Sequence, residues 1–466
     1  MSYQDKLFKK LESFKNKIAL ISDNSHKLTY SELVQNVNNV IRYLEDKKKL
    51  VFLLGQNNFE TIIGYLSFIK KGYTVVFLDF KINDYFLKKL ISIYKPDYIF
   101  CEKYKLKNPK SFVFILEQNS YSLYKKKFTK ELPLNKDLML MMTTSGSTGS
   151  PKFVRQSYEN VESNTESIIK YLNIRKSDVT ITSLPISYVY GLSIINTHLF
   201  KGSTIVMTNK SVIENIFWNL VNKYKVSSFG GVPFQYNIIE KLFKKSVPRS
   251  LKYTTQAGGK MNHLLLKNII NIYKKNKISF IQMYGAAEAT SRMSYLKWRD
   301  SKKLGSIGKP IPGGKFYIIG KNGKKINKIY QKGELVFEGK NVCMGYAESL
   351  KDLSLPDINK GLLKTGDIAY KDSQGFYYIE GRKDRYAKIY GARVNLSELE
   401  EILLKKGIDV IMKEGGENQI YSYFKNLKNL KKGIKYISQL TFINPKVFVG
   451  KVLLMKNLMR NYKYKI

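Results

Sequence analysis

Residues 144–152 read TSGSTGSPK, between the apolar run DLMLMM (137–142) and the stretch FVRQSYENVESNTESIIKYL (153–172). Two readings compete for so polar a segment: a solvated linker, or a cradle for phosphates. Its flanks bear on the choice. LMLMMTT (138–144) has the make-up of a buried strand, and SYENVESNTESIIKYL (157–172) that of an amphipathic helix with Val161, Ile168, Ile169 and Leu172 on one side. Strand, Gly/Ser/Thr loop, helix is the setting in which backbone N–H groups converge on an anion. Gly146 and Gly149 let the main chain approach oxygens closely, Thr144, Ser145, Ser147 and Thr148 add hydroxyl donors, and Lys152 adds a compact positive charge. The stretch is not a Walker loop, because GxxxxGK[ST] is absent.

The rest of the first two thirds repeats the same rhythm. KIALIS, LVFLLG, YTVVFLD and DYIFCE read as strands, separated by helical patterns such as KLTYSELVQNVNNVIRYLEDKKK, where Leu33, Val37, Val40, Ile41 and Leu44 recur near helical spacing. Strand–helix alternation predicts an α/β class with largely parallel sheet. From about residue 305 short β runs broken by glycine take over (GKFYIIGKNGKKI, KGELVFEGK, GFYYIEGR), predicting an antiparallel, turn-rich region. A smaller helix-and-strand segment follows GRKDR. At 466 residues the chain is expected to hold two or three domains.

Composition narrows the function. No stretch approaches 18 uninterrupted apolar residues, and the start has no signal-peptide core. Cys101 and Cys343 are far apart, and three scattered histidines suggest no zinc site, so a reduced cytoplasmic location is expected. The formal charge of +43 comes from 70 lysines and only 10 arginines spread along the chain. Nucleic-acid readers concentrate their basic residues and rely on arginine for bidentate contacts, so no specific nucleic-acid partner is expected.

Taken whole, TSGSTGSPK resembles the phosphate-loop signature of the AMP-forming adenylating enzymes, the superfamily of acyl-CoA synthetases, luciferase-like enzymes and peptide-synthetase adenylation domains. Further segments resemble that family's motifs in the family's order: LPISYVYGLSIINTHLFKGSTIVMT (184–208), QAGGKM (256–261), MYGAAEAT (283–290), GELVFEGKNVCMGY (333–346), LKTGDIAYKDSQGFYYIEGRKDR (363–385), KIYGARVNLSELEEIL (388–403) and NPKVFVGKVLL (444–454). Singly most are weak; in order over nearly the whole chain they are specific. The resemblance implies a large adenylating domain at 1–384, with α/β sheets and a small β-rich part, and a small mobile α+β lid at 385–466.

It also implies roles. The loop, Thr144 to Gly149, with Lys152 would hold the triphosphate. Gly258, Gly259 and Lys260 would line the adenine, Tyr284 and Gly285 would meet the purine, and Glu288, with Thr144, would hold the Mg²⁺ that comes with ATP. Asp367 and Arg382 would contact the ribose, Arg393 the phosphate side, and Asp384 would be the hinge. Tyr188, Tyr190 and Gly191 would belong to the acid pocket, and Lys451 would be the catalytic lysine. The implied reaction is transfer of AMP onto a small carboxylic acid with loss of pyrophosphate, then transfer of the acyl group to coenzyme A or to the phosphopantetheine of an acyl carrier protein. Its obstacle is electrostatic, since one anion must attack another. Cationic groups on the departing pyrophosphate and a lysine bridging carboxylate and α-phosphate address it, each such contact being worth roughly 3–4 kcal/mol.

The chain departs from the pattern at Ala287, where relatives usually carry a hydroxyl residue beside the metal-binding glutamate; one donor to a charged group is worth about 1.5–3 kcal/mol. Val189 stands where peptide-synthetase domains place an aspartate for the substrate ammonium, which disfavours an α-amino acid. Residues 385–466 are compressed relative to the family, which weakens the expectation of thiol transfer more than that of adenylation. Two rival readings remain: a catalytically weakened nucleotide-binding relative, and a lysine-rich nucleic-acid-binding protein.

Overall fold

The computed structural model describes residues 2–106, 111–128, 133–143, 152–320, 322–382, 386–390, 392–404, 406–415, 418–424, 427–441 and 444–452. They form two compact units, one built of residues up to 143 together with 152–380, the other of residues from 381 onward.

The first unit holds three sheets. One is nine-stranded, and its middle six strands run parallel in the order Ser279–Tyr284, Tyr253–Gln256, Ser228–Gly231, Val179–Ile181, Thr204–Met207, Ile18–Ser22. The second is eight-stranded around the parallel set Leu138–Thr143, Thr74–Asp79, Leu50–Gly55, Tyr98–Glu102. These strands are apolar along their length because helices cover both faces; Leu50–Gly55 is buried at every position. The third sheet has five strands, with Lys315–Ile319 paired antiparallel to Gly333–Glu338, and that strand antiparallel to Leu362–Lys371. Strand–helix alternation thus gave way to antiparallel pairing where the glycine-broken runs begin.

The strand expected before the TSGSTGSPK segment and the helix expected after it are both present, but the helix does not follow the segment directly, because the apolar start of FVRQS makes a further strand between them. Leu138–Thr143 is a strand with its first five residues buried, and Phe153–Ser157 returns antiparallel beside it. Helix Tyr158–Leu172 then starts at Ser157, whose side chain accepts from the Asn160 N–H while the Asn160 side chain takes the Ser157 N–H. Val161 and Ile168 of its apolar side are buried. The short strand Gly345–Ala347 adds to the free edge of Phe153–Ser157, with Tyr346 opposite Val154.

In the second unit the hairpin Tyr386–Ile389/Ala392–Asn395 leads to helix Leu396–Leu404. A sheet of Val410–Glu414, Ile420–Phe424 and Phe448–Val452 packs with helix Leu427–Thr441. Its core includes Leu399, Leu403, Met412, Ile420, Phe424 and Ile437. Gly433 is required on that helix, because a Cβ there would lie 2.5 Å from the Phe424 ring.

Candidate active site

Parallel strands of an open α/β sheet deliver ligand-binding groups at their carboxyl ends. In the nine-stranded sheet those ends carry Gly258, just past Tyr253–Gln256, and Tyr284, the last residue of Ser279–Tyr284. Gly258 has φ +81°, a conformation that favours glycine, and a Cβ there would come within 3.1 Å of the Tyr188 hydroxyl and 3.2 Å of Val232. Gly259 offers its carbonyl to Gln256 Nε2 at 2.8 Å, and Lys260 is exposed. The Tyr284 hydroxyl donates to the Asp367 carboxylate. Asp367 is buried, and its own N–H is held by Thr365 Oγ1 at 3.1 Å, which in turn donates to the Leu335 carbonyl at 2.8 Å. The residues expected at purine and ribose are therefore in direct contact.

Beyond Tyr284 the chain turns sharply at Gly285, where a Cβ would lie 1.9 Å from the Ser291 carbonyl oxygen. A single 3-10 turn, Ala287–Ala289, then presents Glu288. Its Oε1 accepts from the Tyr346 hydroxyl at 2.8 Å. The same tyrosine offers its ring face to Lys152, whose Nζ lies 4.0 Å from the ring centre and 3.3 Å from Glu348 Oε1. Tyr346 thus ties the carboxylate expected to bind metal to the lysine expected to bind phosphate, although 136 positions separate Lys152 from Glu288. Nothing in the sequence marks Tyr346 out for this role by residue type. The available signal was only its position at the end of GELVFEGKNVCMGY.

Arg155, fully buried, supports that arrangement. Its guanidinium donates to the carbonyls of Met344 (2.8 Å), Tyr346 (3.1 Å), Leu355 (2.6 Å) and Pro356 (3.2 Å), fixing the main chain on both sides of Tyr346. Ala287 is buried, and its carbonyl accepts from Gln156 Nε2 at 3.0 Å.

The acid-pocket candidates open helix Val189–Lys201. Tyr188 is its N-cap residue, and Tyr188 and Tyr190 meet edge to face with ring centres 6.3 Å apart. Gly191 leaves room for the tight entry, since a Cβ would lie 2.1 Å from the Pro185 carbonyl oxygen. Tyr190 is buried, with its hydroxyl 2.7 Å from Thr255 Oγ1.

Among the described residues no group of three or more His, Cys, Asp and Glu could hold a metal ion. The Glu288 carboxylate has the chemistry of a single oxygen ligand for a hard cation that brings its remaining oxygens with a bound triphosphate, the usual arrangement for Mg²⁺. Thr144, Ser145, Gly146, Ser147, Thr148, Gly149 and Asp384 lie outside the described residues. Arg382 ends the strand Tyr377–Arg382, Arg393 pairs with Lys388 in the hairpin of the second unit, and Lys451 pairs with Tyr423 across its parallel strands.

An open α/β crevice with a sharp glycine turn, a carboxylate–tyrosine–lysine cluster and a tyrosine–aspartate pair is the frame of a nucleotide-activating enzyme. Residues 7–347 match the family model described as AMP-binding enzyme, and the chain belongs to that family. It is 26% identical over 399 residues to 2-succinylbenzoate–CoA ligase of Bacillus pumilus, covering 83% of this chain and 79% of that protein. Among solved structures, a double mutant of o-succinylbenzoate CoA synthetase (MenE) from Bacillus subtilis, bound with a product analogue, superposes with a TM-score of 0.75 at 22% identity, covering 96% of this chain and 94% of that one. An artificially fused adenylation–PCP di-domain from Klebsiella oxytoca gives a TM-score of 0.75 at 15% identity, covering 96% and 86%. Both structural likenesses show a shared fold. Among the described residues no helix is long and apolar enough to cross a membrane.

Proposed function

We propose that this chain activates a carboxylic acid with ATP, forming an acyl adenylate and pyrophosphate, and passes the acyl group to the thiol of coenzyme A. The observation that carries the reading is the Glu288–Tyr346–Lys152 cluster: a carboxylate suited to a magnesium–triphosphate and a lysine suited to the phosphates, joined by one side chain beside the Tyr284–Asp367 pair. The relatives it matches over most of its length are named as CoA ligases, which supports coenzyme A as acceptor.

Bound with ATP, Mg²⁺ would neutralise charge on the departing pyrophosphate. Glu288 would hold that cation, and Lys152, with the 144–149 loop, would grip the leaving phosphates. Tyr284 stacks on the purine while Asp367 accepts from the ribose hydroxyls, with Arg382 and Arg393 as further nucleotide contacts. Tyr188, Tyr190 and Gly191 shape the acid pocket. Lys451 bridges the acid carboxylate and the α-phosphate, residues 1–384 forming the adenylating domain and 385–466 a lid hinged at Asp384. A cytoplasmic location suits the two free cysteines, both buried.

The test is acid-dependent ATP–pyrophosphate exchange over a broad carboxylate panel, with mass-spectrometric detection of acyl-AMP. Lys451→Ala should lower exchange about a hundred- to a thousandfold while ATP still binds. Exchange by no acid, or exchange indifferent to Lys451→Ala, refutes the proposal. Coenzyme A and a phosphopantetheinylated carrier protein, offered separately, distinguish the two acceptors.

A further inference from the structure

Arg292 is almost completely buried, at 3% exposure, four residues beyond Glu288. Among the described residues no carboxylate lies within 4.0 Å of it. Its guanidinium stacks on Tyr190, with Cζ 3.9 Å from the ring centre. Nη1 donates to the carbonyl and the hydroxyl of Ser291 at 3.1 and 2.7 Å, while Nε reaches the Met283 sulfur at 3.3 Å and Nη2 reaches Ser193 Oγ at 3.4 Å. A guanidinium has five N–H donors, and a thioether is a weak acceptor for one of them. The Tyr171 hydroxyl, which donates to the Met283 sulfur at 2.9 Å, also faces the guanidinium, and among the described residues neither a carboxylate nor a carbonyl is offered to Nε or Nη2. A buried arginine normally has a carboxylate partner, because an unpaired charge away from water is costly.

The guanidinium lines a cavity of about 20 Å³ together with Tyr190, Ser193, His198, Gly230 and Thr255. That is room for one water-sized group. Gly230 keeps it open toward Tyr190, since a Cβ there would lie 2.8 Å from the Tyr190 hydroxyl. Burial pushes His198 down to about 4, so at neutral pH it is uncharged and Arg292 is the one charge on the described lining. The cavity adjoins the acid-pocket candidates, since Tyr190 lines it. Gly258 and Tyr188 mark the strand ends, Thr255 lies three residues further in along the same strand, roughly 10 Å, and Met283 immediately precedes Tyr284.

We propose that Arg292 is a specificity-determining residue selecting a short acid whose chain carries its own oxygen acceptor, a hydroxyl or a second carboxylate, that enters this cavity and pairs with the Nη2 side of the guanidinium. The proposal rests on the adenylation reading for the position of the reacting carboxyl. An apolar chain of the same length offers the guanidinium no such acceptor, and a site built to hydrogen-bond a substrate oxygen discriminates strongly against an analogue that lacks it.

The experiment uses the full-length protein and acid-dependent pyrophosphate exchange. Three- to six-carbon acids are compared in matched sets: unsubstituted, ω-hydroxy and dicarboxylic. The expected result is a kcat/KM about ten- to a hundredfold higher for an oxygenated acid than for its unsubstituted partner. The hydroxy and dicarboxylic arms separate the two acceptor types. Arg292→Met should abolish the preference through KM for the acid with KM for ATP unmoved, and Arg292→Lys should retain part of it. Preference for the unsubstituted acid, or an unchanged ratio in the variants, overturns the proposal and marks the cavity as a structural water site. If no acid supports exchange, the adenylation reading fails on its own, and thermal shift decides here: oxygenated acids must raise the wild-type melting temperature and not that of Arg292→Lys. Equal or absent shifts overturn the assignment. Should Arg292→Met fail to fold, Arg292→Lys alone carries the kinetic comparison.

Discussion

Two contacts of the Tyr346 side chain, to Glu288 and to Lys152, differ by one atom, so a pair of substitutions can weigh them. Tyr346→Phe removes the hydroxyl that donates to Glu288 at 2.8 Å and keeps the ring under Lys152. A hydrogen bond to a charged group is worth about 1.5–3 kcal/mol, and with Tyr346 39% exposed the lower end applies. About 1.5 kcal/mol is close to a tenfold effect. Because the lost contact orients the carboxylate, the effect should fall on magnesium: the Mg²⁺ concentration giving half-maximal pyrophosphate exchange should rise about tenfold. Tyr346→Leu removes the ring as well. An exposed cation–π contact adds about 0.5–1 kcal/mol, so this variant should lose a further two- to fivefold, expressed in KM for ATP. The assay is a magnesium titration of exchange at fixed acid, repeated at several ATP concentrations, with thermal melts to confirm that each variant folds. A Tyr346→Phe enzyme with wild-type magnesium dependence would show that the hydroxyl does not position Glu288. A Tyr346→Leu enzyme no worse than Tyr346→Phe would remove the ring from the account of Lys152.

Two stability predictions follow from buried groups. His198 has its pKa lowered from 6.5 to about 4 by burial, so on acidification the unfolded chain takes up a proton that the folded chain refuses; stability is present above pH 6.5 and lost as pH falls toward 4. Between pH 7 and 5 this one group should cost about 2 kcal/mol, and denaturant unfolding of His198→Gln should show a correspondingly flatter pH dependence. An identical slope in wild type and variant would refute it. Gly285→Ala forces a Cβ to 1.9 Å from the Ser291 carbonyl oxygen and 2.9 Å from Arg292 Cα, both backbone and unable to yield cheaply. Overpacking of this kind costs about 1–3 kcal/mol or more, so the variant should melt lower and lose exchange activity; an unchanged melting temperature would show the turn to be misplaced.

What was legible in the sequence was local. Strand Leu138–Thr143, the capped helix Tyr158–Leu172 and the run of parallel strands follow from apolar period and turn chemistry within a window of a dozen residues. Tyr284, Glu288 and Asp367 were singled out because the motifs that hold them resemble the family's, and the structure puts Tyr284 on Asp367 and joins Glu288 to Lys152 through Tyr346. Tyr346, Arg155 and Arg292 were not legible. Each acts across gaps that no local period encodes: Arg155 reaches carbonyls some 190 to 200 positions away, and Tyr346 reaches a carboxylate 58 positions back. Arginine 155 reads as one more basic residue in a strand, and only its burial among four carbonyls reveals its task.

The same long-range contacts bear on Ala287. A hydroxyl lost beside Glu288 removes one donor, yet the turn that carries the glutamate is held from outside at several other points. Gln156 donates to the Ala287 carbonyl at 3.0 Å, and the Cys343 N–H donates to the Glu288 carbonyl at 2.8 Å. Asn341 Nδ2 bonds the carbonyls of Ala289 and Arg292 at 2.8 and 2.9 Å, while Thr290 Oγ1 donates to the Asn341 carbonyl at 2.7 Å. Residues 341–346 therefore brace the turn at Glu288, Ala289, Thr290 and Arg292, and Arg155 anchors that brace to the strand leaving the phosphate-loop segment. The missing hydroxyl costs a direct phosphate contact but not the placement of the carboxylate. On this architecture adenylation should be slowed by the worth of one hydrogen bond, and not abolished.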